Sequence, residues 1–181
     1  MLLLVCAAPL AATQERPDAD LRKVLEKTVA EADSFHDRFE AEVWLVDMST
    51  RLKPHMPDDK ARLDLLKNIH YEATKAGLHP EMVLAVINVE SNFDRWAISH
   101  AGAQGLMQVM PFWLKEIPAA GDNLFDIRTN LRFGCTILKH YIDREQGDFQ
   151  RALARYNGSL GKTWYPNRVF TVLNERWFKS R

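Results

Sequence analysis

One run constrains the fold of this chain more than any other: Met82-Val83-Leu84-Ala85-Val86-Ile87-Asn88-Val89, apolar on every side but for Asn88. Pro80 stands just ahead of it, where the first turn of a helix tolerates a missing N–H. A helix that is apolar all round has no face to offer water, so the run predicts a central helix wrapped by others. Val83, Val86 and Val89 are mediocre helix formers, so burial has to hold the element together. The run ends at Glu90-Ser91, and a glycine-punctuated stretch, Gly102-Ala103-Gln104-Gly105-Leu106-Met107-Gln108, follows soon after.

The flanking pattern supplies the wrapping elements. Leu63, Leu66, Ile69, His70 and Ala73 share one helical side, with Asp58 or Asp59 as cap and Gly77 as terminator. Leu131, Cys135, Leu138 and Ile142 form one stripe of a helix over 127–141. Asp148 opens a further helix with Phe149, Ala152, Leu153 and Tyr156 facing inward, and Trp164-Tyr165-Pro166 leads into a last helix carrying Val169, Val172 and Leu173. Residues 92–105 have little periodicity and read as a loop or a few short strands. In the front third, Leu21, Val24, Leu25, Thr28 and Val29 predict a helix over 20–39. The segment 40–48 also favours helix, before Pro54 and Pro57 break the chain. The sum is mainly α: a single domain over 65–181, with 13–64 as an N-terminal helical extension.

The chain has 181 residues. Its first stretch, 1–12, lacks charge and reads as the apolar part of an export signal whose true start lies at or upstream of Met1; the other reading is an apolar tail. It is shorter than the roughly 20 apolar residues that span a bilayer. Val5 stands where a lipidation site wants a small residue, so lipid anchoring is not expected. The 24 basic residues balance the 24 acidic ones, which gives no general attraction to nucleic acid or to an anionic membrane. Of the two cysteines, Cys6 falls in the leader, and Cys135 on its apolar stripe reads as a small buried hydrophobe.

The six histidines show no metal-site spacing, and no His-Glu-x-x-His or Gly-x-Ser-x-Gly occurs. No cofactor is called for. Glu90 is the group that suits chemistry. A carboxyl at the end of a buried helix, facing a glycine-built turn, has its proton held by desolvation, as a donor to an ether-like or glycosidic oxygen requires. The bland alternative is a helix-terminal glutamate pointing into solvent. Glycosidases with two carboxylates need a second acid, yet Asp94, Asp122 and Asp126 have no surrounding pattern that favours them, and Asp94 reads as a turn residue. Gln108 sits in an apolar run, so its amide either pairs internally or meets a ligand. Asn157 is either a helix C-cap or a binding group.

Four ordered motifs carry a resemblance. They are Glu90-Ser91-x-Phe93; Ser99-x-x-Gly102-Ala103-x-Gly105-Leu106-Met107-Gln108-Val109-Met110-Pro111; Asn123-Leu124-Phe125-Asp126-Ile127-x-x-Asn130-Leu131-x-x-Gly134; and Ala152-Leu153-Ala154-Arg155-Tyr156-Asn157. With Tyr165-Pro166-x-x-Val169, this set resembles the soluble-lytic-transglycosylase-like family over about residues 65–175. The resemblance implies a lysozyme-like helical fold and cleavage of peptidoglycan between N-acetylmuramic acid and N-acetylglucosamine, leaving a 1,6-anhydro-muramyl end without adding water. It implies Glu90 as the one catalytic acid, later base, and Ser91 as a residue orienting it or the substrate. Met107 and Gln108 would belong to the strip lining the sugar groove. Tyr156 would bond the catalytic carboxyl, Asn157 would stand near the muramyl N-acetyl group, and Tyr165 would line the far wall. Arg155 departs from the family's usual Ala and points either to solvent or to the groove, where it would meet a peptide or lactyl carboxylate. A monomer in the periplasm of a Gram-negative bacterium is expected, with glycan strands and other envelope proteins as partners. The competing readings are a hydrolytic muramidase and a non-catalytic glycan-binding protein.

Overall fold

The computed structural model describes residues 38–116 and 123–178. These residues form seven α-helices and a terminal π-helical segment: α1 Arg38–Leu52, α2 Asp59–Lys75, α3 Pro80–Glu90, α4 Trp113–Glu116, α5 Ile127–Arg144, α6 Phe149–Tyr156, α7 Trp164–Val172 and the segment Leu173–Trp177. The described residues are therefore mainly α, as the patterning predicts. The expected helix over 20–39 and the leader at 1–12 lie outside the described residues, apart from the last two positions of that helix, which open α1.

α3 is the axis. Its residues from Met82 to Ile87 are all buried, and it packs against α2, α7 and the π-helical segment. Each large side chain so enclosed contributes about 1.5–3 kcal/mol, which outweighs the weak propensity of its valines. Pro80 takes the first helical position after an extended His79. Glu81 in the first turn accepts a hydrogen bond from Trp44 Nε1 at 2.8 Å, joining α1 to the axis.

Two of the three aspartate caps, at Asp58 and Asp148, fall where the sequence predicts a helix start. Asp58, rather than Asp59, caps α2 through Ala61 N, Asp126 caps α5 through Thr129 N, and Asp148 caps α6 through Arg151 N. Each such cap stabilises its helix by about 1 kcal/mol. Gly77 ends α2's turn at φ 72°. The stripe of Leu131, Cys135, Leu138 and Ile142 is buried on α5, which packs between α2 and α6. Phe149 departs from the expectation. It is 37% exposed, because it is the first residue of α6 and reaches past the edge of the bundle that Ala152 and Leu153 fill.

The connection between α1 and α2 is fastened by Arg62, only 1% exposed. Its guanidinium donates to Ser49 Oγ at 2.9 Å, to the Met56 and Pro57 carbonyls at 2.7 and 3.0 Å, and to Asp59. A buried charge so fully paired avoids the desolvation cost that an unpaired one would carry.

The segment 92–110 is a loop with two isolated antiparallel bridges, Ile98 with Gln104 and Gln104 with Val109. Asn130 of α5 latches it. Its side chain accepts from Met107 N and donates to the Gln104 and Leu124 carbonyls, each at 2.8 Å. Gly105, at φ 75°, lies so close to Asn130 and to Leu124 O that a Cβ there would overlap both.

Candidate active site

Glu90 is the last residue of α3 and is partly buried. The carbonyls at a helix C-terminus disfavour negative charge, and burial disfavours it more. Burial raises the Glu90 pKa from its ordinary 4.5 to about 7, while a hydrogen bond from Tyr165 and the charge of Arg168 pull the other way. The carboxyl thus titrates near neutrality, which suits both delivering and recovering a proton.

The hydroxyl that reaches it belongs to Tyr165. This residue, 1% exposed in the first turn of α7, donates to Glu90 Oε1 at 2.5 Å. The resemblance assigns that bond to Tyr156, and the structure places it differently. Tyr156 donates its single hydroxyl proton to Met107 O at 2.8 Å. That carbonyl is presented by the latched loop and captures the hydroxyl, although Tyr156 stays close enough to feel the charge of Glu90. Tyr165 is accordingly not a wall residue but the carboxyl's direct partner. Burial holds both phenols well above their ordinary pKa, so both stay protonated donors.

Ser91 Oγ stands 2.8 Å from Leu106 O and 3.2 Å from Ile87 O. Its hydroxyl ties the loop to the end of α3, and that fixes the loop's distance from Glu90. The next two residues, Asn92 and Phe93, both have positive φ, 51° and 69°. Neither is glycine, so this sharp turn stores strain. It is held by burial of Phe93, whose ring meets Trp177 at 5.5 Å and His55 at 5.4 Å.

Met107 does not line a surface. Its side chain is fully buried and fills the space left by Gly134 on α5, where a Cβ would overlap it. Its backbone does the positioning, through its N–H on Asn130 and its carbonyl on Tyr156. Gln108 pairs internally: Nε2 donates to Ala97 O at 3.1 Å and Gly105 O at 2.9 Å, with its backbone at φ 49°. Asn157 is the C-cap residue of α6, and its partly exposed side chain makes no hydrogen bond with any described residue. Arg155 pairs with Glu145, which also binds Arg151, so it is engaged along its own surface.

Two of the other candidate carboxylates are occupied. Asp94 accepts from Trp96 N at 2.9 Å in a local turn, and Asp126 is the α5 cap, its pKa lowered chiefly by the Thr129 backbone bond. Asp122 lies outside the described residues. Cys135 is buried and its thiol is pushed far up by desolvation, so it is an inert part of the core. Among the described residues no group of His, Cys, Asp and Glu has the arrangement of a metal site.

Two residues that bear on the site carry little sequence signal. Arg168 acts on Glu90 by charge, and only its place one helical turn beyond Tyr165 hints at a shared face. Asn130, a polar residue beside an apolar stripe, signals a buried amide that must find partners.

A family model for the transglycosylase SLT domain matches residues 67–171. A transglycosylase of Enterobacteria phage PRD1 is 33% identical over 104 residues, covering 54% of this chain and 38% of that protein. Membrane-bound lytic murein transglycosylase C of Yersinia enterocolitica is 28% identical over 145 residues, covering 71% of this chain and 39% of that protein. Among solved structures, an inactive mutant of lytic transglycosylase Slt from Pseudomonas aeruginosa aligns over 85% of this chain and 31% of its own, with a TM-score of 0.48 and 24% identity. The chain spans less than half the length of these relatives. With the family match covering more than half of it, the chain belongs to the transglycosylase SLT domain family.

Proposed function

We propose that the protein is a peptidoglycan lytic transglycosylase in which Glu90 serves first as acid and then as base. Protonated Glu90 gives its proton to the oxygen bridging N-acetylmuramic acid and N-acetylglucosamine as the muramyl C1 gains positive character. The muramyl N-acetyl carbonyl closes on C1, giving an oxazolinium-like intermediate, and Asn157, whose side-chain amide has no hydrogen-bond partner among the described residues, orients that group. Glu90, now a carboxylate, takes the proton of the muramyl 6-hydroxyl, whose oxygen attacks C1, displaces the acetamido oxygen so that the N-acetyl group is restored, and closes the 1,6-anhydro ring. The Tyr165 hydrogen bond strengthens while Glu90 is charged, so it stabilises the state between the two transfers.

The observation that carries this reading is a carboxyl raised to about 7 by burial and bonded by a phenol at 2.5 Å. The occupied state of Asp94 and Asp126 supports a single-carboxylate route over a paired one. No helix among the described residues is long and apolar enough to cross a membrane. The division into a helical extension over 13–64 and a transglycosylase domain over 65–181, action in the periplasm and a monomeric state are part of the proposal.

Mass spectrometry of digested sacculi tests it. Anhydro ends, lighter than reducing ends by one water, should dominate, and a Glu90→Gln protein should release almost none. Reducing ends in the majority would make the protein a muramidase, and intact sacculi with bound protein would make it a glycan binder.

A further inference from the structure

Beside Glu90 lies a second polar feature that the two proton transfers do not use. A hollow of about 520 Å³ is walled by the end of α3, by α7 with the π-helical segment, and by His55 from the α1–α2 connection. Asn88 and Asn92 border it two residues before and two after Glu90, and Arg168 borders it one turn beyond Tyr165. Glu90 itself does not line the hollow, but the Arg168 charge acts on its carboxyl, so the wall that Arg168 forms lies on the Glu90 side of α7.

Its chemistry favours an anion. Arg168 and Arg176 face it against one carboxylate, Glu175. Arg176 is held in place from two sides: Nη1 meets His55 Nε2 at 2.6 Å and donates to Asn88 Oδ1 at 3.0 Å. Burial and the neighbouring Arg176 charge lower the His55 pKa, so the imidazole accepts from the arginine as a neutral ring. The Nη2 and Nε donors of Arg176 have no partner among the described residues, and Arg168 forms no hydrogen bond or ion pair there. Asn88 Nδ2 donates to Asn92 Oδ1 at 3.1 Å, which fixes both amides at the rim. Two guanidinium groups with unused donors, one of them preset by its neighbours, match the fork geometry of a carboxylate.

We propose that this hollow is a carboxylate-binding subsite that takes the acidic peptide carried by the muramyl sugar, with Arg168 and Arg176 as its two cationic contacts. The inference rests on the reading of Glu90 given above, since it is that reading which places a muramyl residue next to the hollow. It assigns a substrate preference: strands bearing peptides with free carboxyl groups are engaged more tightly than bare glycan.

The test is a titration of the full-length Glu90→Gln protein with N-acetylmuramoyl tripeptide, as the free acid and as its methyl ester, followed by NMR of the side-chain amides and by calorimetry. The free acid should shift the Asn88 and Asn92 amide signals and bind about fivefold more tightly than the ester, the effect of one charge contact between solvent-exposed groups. A further Arg168→Gln substitution should abolish that difference, and Arg168→Lys should restore part of it. Arg168→Gln removes no hydrogen bond, so folding is not at stake, whereas Arg176→Gln is informative only if its circular dichroism is unchanged. Equal affinity for acid and ester, or undiminished binding by the Arg168→Gln form, overturns the subsite. Wild-type protein that yields no anhydro product, while its Glu90→Gln form still discriminates acid from ester, removes the proposed reaction and leaves the subsite standing. Anhydro product with no discrimination does the reverse.

Discussion

Replacing Glu90 by Gln should make the protein more stable, by an amount that depends on pH. In the folded chain the carboxyl titrates at about 7 instead of 4.5. Its folded pKa lies above its unfolded one, so the folded state holds the proton more tightly. That contribution is fully present below pH 4.5 and is lost as pH rises through about 7. At roughly 1.4 kcal/mol per pH unit, the rise from 4.5 to about 7 makes the charged carboxylate a burden of about 3 kcal/mol at pH 8. Some of this is relieved because the residue keeps an edge on solvent, so about 2–3 kcal/mol is the expected gain from Glu90→Gln at pH 8 relative to pH 4.5. The amide preserves shape and still accepts from Tyr165. Urea unfolding of both proteins at the two pH values reads the difference directly, and thermal melts should show the variant ahead by about 5–10 °C at pH 8. A variant whose stability relative to the wild type is the same at both pH values would mean that the pocket does not hold Glu90's proton, and the acid–base reading would go with it.

Tyr165→Phe should act on the same group in the opposite sense. The wild-type rate of glycan cleavage should fall above pH about 7, as the acid loses its proton. Removing the phenol, which depresses the Glu90 pKa, should move that limb up by about one pH unit and lower the maximal rate, as a pH profile of kcat/KM on sacculi would show. Asn130→Leu should leave Met107 N and Leu124 O without their partner, while Gln104 O keeps Val109 N, and cost about 2–3 kcal/mol in urea unfolding. Gly105→Ala should cost about 2 kcal/mol or more, because φ is 75° and the new Cβ meets Leu124 O and Asn130; a Tm unchanged from the wild type would contradict the latch described for this loop.

Much of the architecture is legible in local chemistry. The all-round apolar run announces α3 and its place at the centre, and Pro80, Gly77 and Asp148 mark where helices begin or end, because capping depends on residues a few positions apart. The site is less legible, because its contacts join distant segments. Two tyrosines precede or follow helix-terminal loops, and nothing local says which hydroxyl meets Glu90. That choice is made by the Met107 carbonyl, whose position depends in turn on Asn130. Met107 itself looks like a groove residue until Gly134 is seen to leave room for it in the core. Gln108 has both options open in the sequence, and the turn geometry at φ 49° selects internal pairing. Phe149 fits a helical stripe by spacing, yet periodicity does not report where a bundle's edge falls.

The strained turn after Glu90 is clamped through one aromatic ring, with His55 on one flank and Trp177 on the other. The reactive centre is consequently a keystone between the α1–α2 junction and the chain's closing segment. Substitution at Trp177, which borders neither the carboxyl nor the hollow, is thus a route to retuning the working pH without touching any group that meets the substrate.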